Sequence, residues 1–215
     1  MDGTPTISVV KALFTSGSVF GTPVGTDGSC NAYTSPPSGS LSAGEISITG
    51  AAMPISLLES GASPNITYSG PTLQDPIYAP GATLNIEGFG GSDIAPFSGS
   101  VPAPTAIAGY TPPASLARTG YTATWTPGSA SGFEVWIIGI NPAVMGDTVY
   151  EICSGDDSGT LTVAPSSIAM IPLAYSEALL AAIRVESTVV DAAGAPITIA
   201  AASSVLSGPF TLSGS

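Results

Sequence analysis

Apolar and polar residues alternate in short runs along most of this chain, and helical spacing is almost absent. Glu45-Ile46-Ser47-Ile48-Thr49, Thr83-Leu84-Asn85-Ile86-Glu87 and Thr160-Leu161-Thr162-Val163 each carry the two-residue period of a half-buried strand. Over 121–126 every second residue is threonine and the others are Tyr121, Ala123 and Trp125, which assigns Trp125 to the core. Further strands are predicted at 133–140, 148–153, 179–188, 196–202 and 209–213. The one helical turn expected is 165–170, capped by a serine and stopped by Pro172.

The 26 glycines and 20 prolines fall between these runs without a collagen-like period, as turns do in a sandwich or barrel. Pro102, Pro104, Pro112 and Pro113 mark an extended connector, so the chain is expected to divide near residue 110. The expected fold is all-β, with two β-sandwich-like domains. Residues 1–110 form an irregular Gly/Ser/Pro-rich β domain, with long loops over 12–40, and residues 111–215 form a β-sandwich. Seven short strands in the second half is the count of a fibronectin type III or immunoglobulin-like module. Its inward set is expected to be Tyr121, Trp125, Phe133, Val135, Ile137, Leu161, Val163 and Ile183.

The run 133–140 is apolar on both phases. Phe133, Val135 and Ile137 take the inward phase, which leaves Trp136, Ile138 and Ile140 beside Glu134 on the other. A strand apolar on both faces is usually covered on both. Trp136, Ile138 and Ile140 are therefore a candidate contact surface, to be covered by the first domain, a second subunit or a glycan.

Charge narrows the function classes. Fifteen acidic residues against Lys11, Arg118 and Arg184 give a formal charge of -12, which opposes binding to nucleic acid or an anionic membrane. With no histidine there is no imidazole proton shuttle, and two cysteines do not make a zinc site. No cofactor is expected. A serine nucleophile has no base and no Gly-x-Ser-x-Gly elbow. A histidine-free glycoside hydrolase needs only two carboxylates, but the acids sit in turns or on outward strand phases, as Glu87, Glu134 and Glu151 do.

Asp156-Asp157 is read as a hairpin turn, with calcium binding as the alternative. Asp27-Gly28 and Gly146-Asp147 are read as turns, and 88–93 as a loop or bulge rather than a nucleotide site. Asn65-Ile66-Thr67 has the form of a glycan acceptor. No run is long and apolar enough to span a bilayer, so direct membrane insertion is not expected. The Met-Asp-Gly-Thr start has the look of an initiator placed on a mature domain, which leaves room for a removed leader. In an exported chain Cys30 and Cys153 would pair; in a cytosolic one they would be free thiols.

Leu-Ser-Ala-Gly-Glu-Ile-Ser-Ile-Thr-Gly at 41–50, the segments 80–91 and 96–104, and Tyr-Thr-Ala-Thr-Trp-Thr-Pro-Gly at 121–128 together resemble exported or lipoprotein-like all-β proteins of myxobacteria and their relatives. The resemblance implies export and an all-β fold and transfers no catalytic residue. The expectation is a non-enzymatic extracellular, cell-surface or periplasmic protein with a structural or adhesive role. Its partner is expected to be another protein, itself included, or a glycan. A carbohydrate-binding module is the alternative.

Overall fold

The computed structural model describes residues 21–34, 40–63, 65–71 and 77–214. In chain order the elements are β1 (Thr22–Asp27), β2 (Cys30–Thr34), β3 (Ile46–Thr49), β4 (Ile55–Ser60), β5 (Thr67–Ser69), β6 (Thr83–Gly88), β7 (Phe97–Pro102), β8 (Leu116–Ala117), β9 (Tyr121–Thr124), β10 (Gly132–Ile140), β11 (Thr148–Gly155), β12 (Thr160–Val163), α1 (Pro165–Ile168), β13 (Glu177–Ala192) and β14 (Ala195–Ser213). The fold is all-β and sandwich-like. One sheet runs β1-β2-β11-β10-β13-β14-β8, a second runs β5-β4-β3-β6-β7, and β9 pairs with β12 alone.

Alternation sets the inner face of the large sheet. Phe133, Val135 and Ile137 of β10 face inward with Val149 and Cys153 of β11 and Leu180 and Ala182 of β13, against Ala123, Trp125, Val163 and Ile168. Trp125 stacks on Phe133 with ring centroids 3.5 Å apart and planes 6° from parallel. Tyr121 and Leu161 pack at the margin of this core. Ile183 does not join it. Register pairs Val135 with Ala182 and Phe133 with Arg184, so Ile183 falls on the opposite phase beside Glu134.

The inward phase of β13 thus delivers Arg184 to the interior, where it is 2% exposed. Its Nε lies 2.9 Å from Asp157 Oδ2 as an ion pair without hydrogen-bond alignment. Its other nitrogens donate to Thr105, Ala106 O, Thr126 O and Asp157 Oδ1. Trp125 Nε1 donates to the same Oδ1 at 2.6 Å. The turn at Asp156-Asp157 is not the expected hairpin, because β12 pairs with β9 and not with β11; it carries the chain from one sheet to the other, and its second carboxylate is engaged by the fold. Gly128 permits this approach, since a Cβ there would lie 2.5 Å from Asp157 Oδ2.

The second core lies between the inner face of the five-stranded sheet and the far half of the β13–β14 hairpin. Ile46, Ile55, Leu57, Leu84, Phe97 and Val101 meet Ala192, Ile199 and Ala201, with Val190 and Ile197 at the margin. A Cβ on Gly99 of β7 would sit 2.5 Å from Val190 and 2.8 Å from Ile199, so glycine is what lets the hairpin close on the sheet. Each core borrows from the other half of the chain: Cys30 packs in the first, and residues beyond 190 pack in the second.

Four local expectations need correction. The stretches 196–202 and 209–213 form one continuous strand, β14, because the serine-rich 203–207 pairs with β13 through backbone groups that need no apolar side chain. The helix has Ala164 as N-cap with no side-chain cap and Pro165 at its first position; Ser166 and Ser167 bond Asp27 instead. Within 12–40, residues 22–34 form a hairpin, β1–β2, turned by Gly28 at φ 57°, while 12–20 and 35–39 lie outside the described residues. Glu151, expected on an outward phase, is wholly buried.

Trp125→Ala is expected to destabilise the protein by about 3–5 kcal/mol, through lost burial and the cavity left under Phe133. Chemical denaturation checks this, and an unchanged midpoint would refute the core assignment.

Candidate functional site

The candidate surface is the outer face of the large sheet, and register places its residues. One rung reads Tyr33, Tyr150, Ile138, Leu179 across β2, β11, β10 and β13. The next reads Asn31, Ile152, Trp136, Ala181 and Leu206, the last from β14. Ser154, Glu134, Ile183 and Ser204 follow on a third. At the other end Thr148, Ile140 and Glu177 align.

Trp136 and Ile138 therefore sit at the centre of an apolar field, and Ile140 lies at its margin beside hydroxyl and carboxylate groups. All three are half-buried. Trp136 Nε1 donates to Glu134 Oε2 at 2.7 Å, which orients the indole along the strand toward the polar rim. Tyr33, Tyr150, Ile152, Leu179 and Leu206 were not singled out from the sequence. The signal was present in 148–153, where Tyr150 and Ile152 put apolar side chains on the phase opposite Val149 and Cys153, although Ile152 is itself buried.

Directly behind this face, on the inner side of β2 and β11, Cys30 and Cys153 are joined in a disulfide across 123 residues of sequence. They are register partners on adjacent antiparallel strands. Glu151, two residues before Cys153, shares their inward phase and has Oε1 3.7 Å from Cys153 Sγ, while Oε2 has no hydrogen-bond partner. A disulfide sulfur carries no proton, so this contact is a hydrogen bond only when the carboxyl holds its own. Cys30, Glu151 and Cys153 come within 4.8 Å of one another, a ligand-like spacing, but bonded sulfurs offer no thiolate to a metal.

Desolvation by burial, with the Asp27 carboxylate as the second cause, pushes the Glu151 carboxyl up from the usual 4.5 to about 7. Asp27 itself is half-buried and held below its ordinary range by the Ser166 and Ser167 hydroxyls.

The other carboxylates with close partners are engaged by the fold. Glu59 accepts from Ser42 Oγ, from Gly44 N at 2.8 Å and from Tyr68 OH, and so ties the loop before β3 to β4. Burial pushes the Tyr68 hydroxyl up to about 12. Asp147 accepts from Asn141 and Tyr175 and closes the turn 141–147. Arg118 donates to Ile171 O, Pro172 O and Tyr175 O. Two of the three cationic side chains thus serve the fold, and Lys11 lies outside the described residues. No helix among the described residues is long and apolar enough to cross a membrane.

No protein-family model, curated protein or solved structure matches this chain.

Two expectations follow. A carboxyl whose pKa rises on folding favours the folded state most at low pH, below 4.5, and that contribution is lost as pH climbs to about 7. The loss is about 3 kcal/mol, and Glu151→Gln should flatten this part of the stability–pH profile measured by denaturation. Asp27 works in the opposite sense, toward loss at acid pH. Equal slopes in both proteins would remove Glu151 from the account.

Closing so long a loop stabilises by up to about 5 kcal/mol in the chain-entropy description. Denatured, unreduced protein should show no free thiol, and reduction should lower the unfolding midpoint; two titratable thiols would refute the bridge.

Proposed function

We propose that this chain is a non-enzymatic exported protein of the cell surface or extracellular space, with a structural or adhesive role, acting as a subunit that docks on a neighbouring protein chain. The carrying observation is the outer face of the large sheet. There the half-buried Trp136, Ile138, Tyr150 and Leu179 from adjacent strands, with the buried Ile152 beside Trp136 in register, make one apolar field, bounded at its ends by Glu134, Ser154 and Ser204 and by Thr148 and Glu177. An apolar centre with a polar rim is the anatomy of a protein interface. The disulfide supports the exported reading, since such bridges persist in oxidising compartments. The net charge of -12 argues against nucleic acid as partner.

The non-enzymatic reading is supported by the carboxylates. Asp157, Glu59 and Asp147 commit both oxygens to partners within the fold, and Glu151 is sealed from solvent. A glycoside hydrolase needs a pair facing the same bond with room for a sugar. Seven strands from residue 116 to 213 around Trp125 favour a fibronectin type III or immunoglobulin-like variant for the second half.

Trp136→Asp tests the docking surface. Light scattering should find the wild type associated and the variant monomeric, with little change in unfolding midpoint. A monomeric wild type, an unchanged oligomer in the variant, or a variant that fails to fold would overturn this reading.

A further inference from the structure

The five-stranded sheet turns its other face outward, and across β3, β6 and β7 this face is polar in register. Across β3, β6 and β7 one rung reads Ser47, Glu87, Ser98 and the next reads Thr49, Asn85, Ser100. They line a shallow concavity of about 320 Å³ together with Ile86 and Gly99. That volume lies at the lower end of the range for small-molecule sites. Elsewhere on the same sheet, polar side chains are satisfied by one another: Ser56 bonds Glu45, and Ser60 bonds Thr67. None of the six side chains in the concavity makes a hydrogen bond to another described residue.

We infer that this concavity is a binding site for a neutral glycan. Adjacent strands lie about 4.8 Å apart and alternate residues about 6.8 Å apart along a strand. The array therefore repeats on the scale that separates hydroxyls on opposite sides of a hexose ring. A sugar hydroxyl both donates and accepts. Asn85 offers a donor and an acceptor, Glu87 accepts only, and the four side-chain hydroxyls do either.

Charge selects within the sugars. The site holds a carboxylate and no cation, so a sulfated or uronic-acid polymer is repelled while a neutral one is not. The platform is also fixed from behind, because Val190 and Ile199 press against Gly99 on the inner side of β7. A backbone held in this way leaves only side-chain rotamers to be ordered on binding. Exposed hydrogen bonds compete with water, so each site binds weakly and a polymer or a surface array supplies the strength. The site lies on a different sheet from Trp136 and does not rest on the docking surface.

Affinity electrophoresis of the full chain through gels containing dextran, mixed-linkage β-glucan or galactomannan tests this, with heparin and polygalacturonate as anionic counterparts. At least one neutral polymer should retard the wild type, and neither anionic one should. The double variant N85A/E87A should lose at least tenfold in affinity while keeping the wild-type unfolding midpoint. Absence of retardation by all three neutral polymers, or undiminished binding by N85A/E87A, would overturn the proposal.

Discussion

The structure depends on a single hairpin. β13 and β14 run 16 and 19 residues and stay paired from Glu177 and Thr211 to Ala192 and Ala195. Over its first half β13 also pairs with β10, as far as Val185, and completes the large sheet. Beyond that point the hairpin leaves β10 and lies across β7, where Val190, Ile197 and Ile199 belong to the second core. One backbone ladder therefore passes through both cores. Neither core can open far without breaking hydrogen bonds that the other helps to hold, and this couples them more tightly than a linker would. The register shift between Ala178 and Leu180, opposite Gly208 and Pro209, lies in the part of the hairpin that belongs to the large sheet, well away from the crossing into the second core.

A chain with so few charges places them with consequence. Arg184 is withdrawn from water, and its isolated burial would be costly, but Asp157 and three backbone carbonyls surround it. Because Thr105 and Ala106 are among its partners, the pair also fastens the connector between the two halves to the inside of the second. Glu151 is the contrasting case. It is buried with one oxygen unpartnered, and it remains inside because β11 must present Val149 and Cys153 to the core, so the residue between them in phase goes inward too. The fold accepts an acid that prefers its proton in exchange for the register that closes the disulfide.

Strand existence was legible in the alternation of apolar and hydroxyl residues, and Trp125 was placed correctly by the three threonines around it. Three features were not legible, each for a definite reason. Ile183 and Arg184 exchange roles because the phase of β13 is set by its neighbour β10 and not by hydropathy, and nothing local announces a buried arginine. The continuity of β14 through Ser203 to Ser207 is carried by backbone bonds alone. The membership of β2 in the large sheet depends on a partner more than a hundred residues away; the paired cysteines hinted at it but could not give the strand order. The candidate face was half legible: Trp136 and Ile138 stand out within one strand, whereas Tyr33, Ile152 and Leu179 become their neighbours only through register.

The two sheets have opposite outer surfaces, and the reason lies in what covers each inner face. The large sheet is backed by the full first core, with the β9–β12 ladder, α1 and the stacked Trp125–Phe133 pair, so β10 and β13 can be apolar on both phases and remain rigid. The five-stranded sheet is backed by the end of the hairpin together with loop residues such as Ile77 and Ile94, and β3, β6 and β7 alternate serine, threonine, asparagine or glutamate outward with isoleucine, leucine, phenylalanine, valine or glycine inward, ending on Pro102. A one-residue slip there would exchange the two sets, so alternation itself fixes the register. Each outward chemistry is thus tied to the packing beneath it. The apolar face belongs to the layer with the fuller core behind it, and the polar face belongs to the thinner one.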